Sequence, residues 1–253
     1  MVKRLFLARQ SLSKRVINER VSIVIPTYNS TRFIEETIDS VMRQSYVNEV
    51  LIVDDFSTDG TVDLIKQISS KHEIVKIVLK SENTGLSKNI NKAVKAIKNN
   101  YFILLGHDDC LPESFVSKGL NTLLEKKGDF LFCNSKIIDE NGAHQGFLLS
   151  NFKTKIKFMF VKLFLKRGNF ISSCGCIQSK EKFIEVGGWD EDYKMYGEYL
   201  FWCKASKVSK FVYSTASLAL YRKHENNISK EIANHQSKQQ AEYNRVAKST
   251  LTI

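Results

Sequence analysis

The chain has 253 residues, of which 43% are hydrophobic, 26% charged and only two proline, a composition that excludes disordered, collagen-like and mucin-like classes. A chain of this length buries about 70–75% of its unfolded surface and needs no disulfide or metal staple to fold. The net charge of +11 is not diffuse: residues 1–20 carry six basic side chains against Glu19, and residues 151–170 carry Lys153, Lys155, Lys157, Lys162, Lys166 and Arg167 with no acid. Elsewhere basic and acidic side chains balance. No apolar run approaches the 18 or so residues of a membrane span, and Leu5-Phe6-Leu7-Ala8 is too short for a signal-peptide core. The five cysteines are odd in number and contain no CxxC. They read as free thiols in a reducing compartment, with Cys174 and Cys176 on one expected strand.

Val21 to Ile25 is a continuous apolar run ending at Pro26, which predicts a buried strand and then a loop. Ile34, Ile38 and Val41 recur at helical spacing, and Glu49 to Val53 form a second strand ending in Asp54-Asp55. Asp59 is placed to cap a helix whose face is Val62, Ile65 and Ile68. Ile74 to Leu79 predict a third strand, Leu86, Ile90, Val94 and Ile97 a helix, and Tyr101 to Leu105 a fourth strand. Strands alternating with helices predict an α/β fold with a mainly parallel sheet. Beyond residue 112 the alternation loosens: strands are expected at 130–133, 172–178 and 211–220, helices at 180–186 and 197–207, and a polar helix or frayed tail from residue 226. The expected organisation is a basic segment at 1–20, one domain over 21–225 with halves at 21–112 and 113–225, and a C-terminal tail at 226–253.

Ligands of such sheets bind at the carboxyl ends of the strands. Pro26-Thr27-Tyr28-Asn29, Asp54-Asp55 and Gly106-His107-Asp108-Asp109 all fall there. Adjacent carboxylates after a buried strand are costly unless something positive meets them. Asp108-Asp109 therefore suits a divalent cation, or Asp109 with Glu113 favours the N-terminus of a helix starting near Pro112. Asp54-Asp55 is free of capping duty if Asp59 caps, and carboxylates there accept well from ribose hydroxyls or a base N–H.

Val21-Ser-Ile-Val-Ile-Pro-Thr-Tyr-Asn29, Val53-Asp-Asp-Phe-Ser-Thr-Asp-Gly60, Asn83-Thr-Gly-Leu-Ser-Lys-Asn-Ile-Asn91, Gly106-His-Asp-Asp109, Gly187-Gly-Trp-Asp190 and Tyr221-Arg-Lys-His224 resemble, in this order, the motifs of family-2 glycosyltransferases of the GT-A fold. The resemblance runs from about residue 21 to 229. It implies inverting transfer of a sugar from a nucleotide diphosphate donor, usually a UDP-sugar, with Mn2+ or Mg2+ as cofactor. Carried over by residue, Pro26, Thr27 and Tyr28 would hold the uracil, Tyr28 by stacking, and Asp55 would accept from the uracil N3–H. Lys88 and Asn91 would lie near the phosphates or ribose, and Asp108 near the ribose or sugar. Asp109 would ligate the metal, with His224 approaching the metal or diphosphate from a C-terminal loop.

The leaving diphosphate develops charge that a metal can neutralise, and the attacking hydroxyl needs a general base. Glu198 stands near the family's usual base, with Trp202 matching a frequent aromatic; Glu191 and Asp192 are the alternatives. Gly197 occupies the place of the family's usual preceding Glu. Gly106-His107, Ile90 and Ala93 are further departures. Trp189, Asp190 and Tyr196 are candidates for the acceptor side, and Asn169 to Gly175 resemble the segment that lines the donor sugar and acceptor.

On a helical wheel Ile156, Met159, Phe160 and Leu163 oppose Lys155, Lys162 and Lys166, and Leu5, Ala8, Leu12 and Val16 share a face within residues 1–20. Such segments lie at an anionic membrane interface or pack on a core with a solvated lysine edge. Neither carries a nucleic-acid-binding module. The resemblance implies a glycan or polyprenyl-diphosphate-linked acceptor, hence a cytoplasmic enzyme peripheral to the inner face of the membrane, in O-antigen or capsule synthesis. The opposing reading is a non-catalytic nucleotide-sugar-binding protein.

Overall fold

The computed structural model describes residues 18–149, 161–193, 197–227 and 238–251. Alternation of strand and helix begins as the sequence predicts: β1 (Val21–Thr27), α1 (Ile34–Met42), β2 (Val47–Asp54), α2 (Thr61–Lys71), β3 (Val75–Leu79), α3 (Leu86–Ala96), β4 (Tyr101–Leu104) and α4 (Phe115–Glu125). It continues with β5 (Phe130–Ile138), β6 (His144–Phe147), α5 (Val161–Leu165), β7 (Cys176–Ser179), α6 (Lys180–Val186), α7 (Gly197–Val208), β8 (Phe211–Arg222) and α8 (Lys238–Ser249).

One eight-stranded sheet runs in the order β3-β2-β1-β4-β7-β5-β6, with β8 also on β5. β1, β2, β3 and β4 pair in parallel, as do β5 and β8, whereas β7 is antiparallel to both β4 and β5. Along β1 successive side chains alternate between two layers. Ile23 and Ile25 join Ile38 of α1, Ile65 of α2 and Leu120 of α4. Val24 joins Ile90 of α3, Phe183 of α6, Phe201 of α7 and Tyr243 of α8. Both faces of β1 are covered, which is why Val21 to Ile25 reads as an unbroken apolar run.

Four sequence expectations are adjusted. The N-cap of α2 is Gly60 at φ 93°, and Asp59 acts one residue earlier by accepting from the Thr61 N–H at 3.0 Å. The strand expected over 172–178 starts only at Cys176, because Ser173–Gly175 form a 3-10 turn; Cys174 is thus not on the strand. β6 forms a hairpin with β5 around Asn141-Gly142, a turn signal passed over in the sequence. The C-terminal tail includes a docked helix, with Tyr243, Ala247 and Leu251 buried. All five cysteines are free and buried. Among the described residues no helix is long and apolar enough to cross a membrane.

Candidate active site

The carboxyl ends of β1 and β2 are laced together. Asp55 N–H donates to the Thr27 carbonyl at 3.0 Å, Asn29 N–H to Ser57 Oγ at 2.9 Å, and Thr58 N–H to Asn29 Oδ1 at 2.9 Å. Thr27, expected at the base, is 2% exposed and turns its hydroxyl inward to the Val53 carbonyl and Asp54 Oδ2, both at 3.3 Å. Tyr28 beside it is 48% exposed. Asp55 is buried, and its two oxygens accept from the N–H groups of Thr84 (2.9 Å) and Gly85 (3.0 Å), fixing the turn that opens α3. Oδ1 also accepts from the Thr84 hydroxyl at 3.4 Å, whereas Oδ2 keeps a second acceptor site. Lys88 lies exposed in the first turn of α3.

Asn91 departs from its expected place near the phosphates. It is buried; its amide donates to the Trp189 carbonyl at 2.7 Å and to Glu191 Oε1 at 3.0 Å, and its Oδ1 accepts from the Trp189 N–H at 2.9 Å. A Cβ on Gly188 would come within 2.4 Å of that same Oδ1, and Gly188 has φ 69°, so glycine is what allows the clamp to close. Asn91 therefore positions the loop carrying Trp189 and Asp190.

Next to this lies a cavity of about 540 Å³ whose lining includes Pro26, Ile90, Asp108, Asp109, Ser173, Trp189 and Glu198. Asp109 sits at its buried edge, where Oδ1 accepts from the Arg222 N–H at 3.0 Å. Burial, and then the neighbouring Asp108 carboxylate, push the Asp109 carboxyl well above the usual range. Asp108 Oδ2 receives the Asn227 amide at 2.9 Å and lies 2.8 Å from His224 Nε2. Asn226 N–H donates to His224 Nδ1 at 3.3 Å, which leaves the ring proton on Nε2 and directed at Asp108. His224, expected as a metal ligand, here faces the Asp108 carboxylate.

Glu198, in the first turn of α7, is held by three donors: Ser173 Oγ at 2.5 Å and Trp202 Nε1 at 3.2 Å, both on Oε1, and the Asn169 amide at 3.4 Å on Oε2. Burial raises its pKa while the Ser173 and Trp202 bonds oppose the rise. Gly197 explains a departure from the family pattern, because a Cβ there would stand 2.5 Å from Ser87 Oγ and 2.9 Å from the Asp190 backbone. The helix starts too close to that loop for a side chain.

Trp189 lines the cavity but is only 5% exposed, and its buried indole N–H has no hydrogen-bond partner among the described residues. It is a wall anchored in the core rather than an open floor. Asp190 accepts from the Asp192 N–H at 3.1 Å and is not part of the cavity lining. Tyr196 lies outside the described residues, as do 1–17 and 150–160, which hold most of the two basic segments. Burial lowers the pKa of His107, beside the acidic pair, against the opposing pull of Asp108.

Sequence reasoning missed Arg222, although a charged residue closing an apolar strand marks it. It is fully buried, donates to the carbonyls of Asp108 (2.9 Å), Asp139 (3.0 Å) and Glu140 (3.3 Å), and pairs with Glu36 at 2.6 Å. Asn227 was likewise invisible as a site residue, since no local pattern marks a lone Asn, while Ser173 was marked only as part of the Asn169 to Gly175 segment.

Residues 22–187 match the family described as Glycosyl transferase family 2, and the chain belongs to that family. It is 28% identical over 208 residues to an uncharacterised glycosyltransferase of Rickettsia typhi, covering 81% of this chain and 64% of that protein. It is 34% identical over 124 residues to Bacillus subtilis TuaG, a glycosyltransferase named for teichuronic acid biosynthesis, covering 49% of each. The chain spans between 36% and 64% of the length of two of its rickettsial relatives. A crystal structure of S. aureus TarS with UDP-GlcNAc superposes with a TM-score of 0.68 at 20% identity, over 92% of this chain and 71% of that one. A Pyrobaculum calidifontis mannosyltransferase holding GDP-Man and Mn2+ gives 0.63 at 16% identity, over 97% and 80%. These likenesses confirm the GT-A α/β fold.

Proposed function

We propose that the chain transfers a sugar, with inversion, from a nucleotide diphosphate donor, a UDP-sugar, to a hydroxyl of a glycan or polyprenyl-diphosphate-linked acceptor in bacterial cell-surface polysaccharide assembly. The observation that carries this is the cavity in which Asp108 and Asp109 meet Glu198, a carboxyl whose proton affinity is raised toward the range useful to a general base. The UDP-GlcNAc in TarS supports the donor class, and the name of TuaG supports cell-surface polysaccharide assembly.

Glu198 Oε2, the oxygen with the one long donor, takes the proton of the acceptor hydroxyl. The acceptor oxygen bonds to the anomeric carbon as the bond from that carbon to the diphosphate breaks, and the nucleoside diphosphate leaves with the electron pair. Among the described residues no three His, Cys, Asp or Glu side chains converge to hold a metal. A divalent cation nevertheless fits the donor chemistry: two adjacent carboxylates, one buried and short of positive charge, supply hard oxygen ligands, and diphosphate oxygens would complete the set. Held by Asp109, such an ion would neutralise charge on the leaving diphosphate, as the Mn2+ of the Pyrobaculum neighbour suggests.

Glu198→Gln is expected to bind UDP like the wild type and to lose transfer by about 100-fold or more, while Asp192→Asn keeps it. Full turnover by Glu198→Gln would remove Glu198 from the role, and transfer that survives EDTA would remove the cation. For the location, we propose docking at the inner membrane face through residues 1–20 and 151–170. Sedimentation with anionic vesicles, lost when the lysines of 151–170 are neutralised, is the expected result.

A further inference from the structure

We propose that Phe56 is a second aromatic contact for the donor's nucleobase, acting alongside Tyr28; this rests on the nucleotide-sugar reading above. Phe56 follows Asp55 and has φ 70°, in the left-handed region that bulky side chains rarely adopt. The turn is imposed from both sides. Ser57 N–H donates to Asp54 Oδ1 at 2.9 Å and Ser57 Oγ donates to Asp54 Oδ2 at 2.5 Å, while Asn29 N–H reaches Ser57 Oγ from the loop that carries Tyr28. Gly or Asn would take this conformation at far lower cost.

Among the described residues the ring is not taken into the core: Phe56 is 50% exposed, and Tyr28, on the laced partner loop, is 48% exposed. Leu79, paired in register with Asp54 on β3, extends the apolar rim at 45% exposure. A strained backbone that presents an unburied ring points to a ligand. Exposed aromatic rings beside a carboxylate, Asp55, with acceptor capacity left match a flat ligand with two apolar faces and an N–H on its edge. A pyrimidine base has that form, whereas a sugar or a diphosphate does not. Stacking on an aromatic side chain is worth about 1–3 kcal/mol per base, or about 5- to 150-fold in affinity.

The test is calorimetric UDP titration together with thermal melting of the wild type, Phe56→Ala, Phe56→Gly and Phe56→Trp. Phe56→Ala and Phe56→Gly are expected to weaken UDP at least about fivefold and Phe56→Trp to restore it, with Phe56→Gly melting at or above the wild type because its strain is gone. A UDP affinity within twofold of wild type in Phe56→Ala, or a clear loss of melting temperature in Phe56→Gly, overturns the proposal and makes the ring structural. Failure of the wild type to bind UDP, GDP or any other nucleoside diphosphate overturns instead the transferase reading on which it rests.

Discussion

Glu198 shows how three neighbours set one carboxylate. Burial favours its protonated form, and the Ser173 hydroxyl and Trp202 indole favour the ionised form. A general base works ionised, so activity should fall as pH drops through the raised Glu198 pKa. Ser173→Ala or Trp202→Phe removes a donor to the ionised form and should move this acid limb to higher pH, as a rate profile at saturating donor would show; an unmoved limb would detach the residue from the base. The same shift has a sign for stability. The folded state holds the proton more tightly than the unfolded chain, so Glu198 costs stability as pH rises from its unfolded value through its raised folded one. Glu198→Gln should therefore gain on the wild type in urea unfolding at pH 8 relative to pH 4. Glu198 was singled out by the resemblance, counting on from Gly188-Trp189-Asp190, with Glu191 and Asp192 as alternatives. Trp202 and the Asn169 to Gly175 segment were marked by the resemblance, but their bonds to Glu198 were not legible, because Ser173 and Asn169 reach it from a turn whose shape depends on packing across the sheet.

At the scale of elements, the first turn of α7 is defined by what it cannot hold. Gly197 abuts the Asp190 backbone, and Asn91 on α3 pins the same loop through Trp189. Gly197→Ala should cost about 1–3 kcal/mol, the usual price of overpacking, and should lower kcat more than UDP affinity because it displaces the turn that carries Glu198. Equal kcat in the variant would show that the helix can slide without loss. The strands and helices up to α4 were legible because their periodicity answers to one covered sheet. Asn91 was misplaced in the sequence reading because a polar residue on a helix facing the nucleotide end looks the same whether it meets a phosphate or a buried backbone. Only the Gly188-Trp189 loop, 98 residues on, decides between them.

Over the whole molecule, the site is supported from its far side by α8. The Tyr243 hydroxyl accepts from the Leu200 N–H at 2.9 Å, its ring lies tilted against Tyr193 with centroids 4.3 Å apart, and the residue is fully buried. Tyr243→Ala should cost about 3–5 kcal/mol, the range for a buried large aromatic, and Tyr243→Phe about 1 kcal/mol for the lost hydrogen bond, both read by denaturant unfolding. Because Leu200 follows Glu198 by two residues, Tyr243→Ala should also reduce transfer more than donor binding. A segment read as a polar helix or frayed tail gave no sign of this, since two buried residues in a hydrophilic helix, with Leu251 just beyond its end, make a weak pattern.

The parallel pairing of β8 with β5 bears on how the protein reaches its working state. Arg222, His224 and Asn227 arrive at Asp108 and Asp109 only after β8 has been laid beside a strand some 80 residues earlier in the chain. Contacts of such long sequence separation form late. During refolding, the helical signal should therefore return before the acidic pair is organised, and recovery of transfer should lag behind recovery of secondary structure. In the native protein the same pairing makes the strand that carries Arg222 a latch, so a local opening there would silence the site while β1 to β4 stay folded.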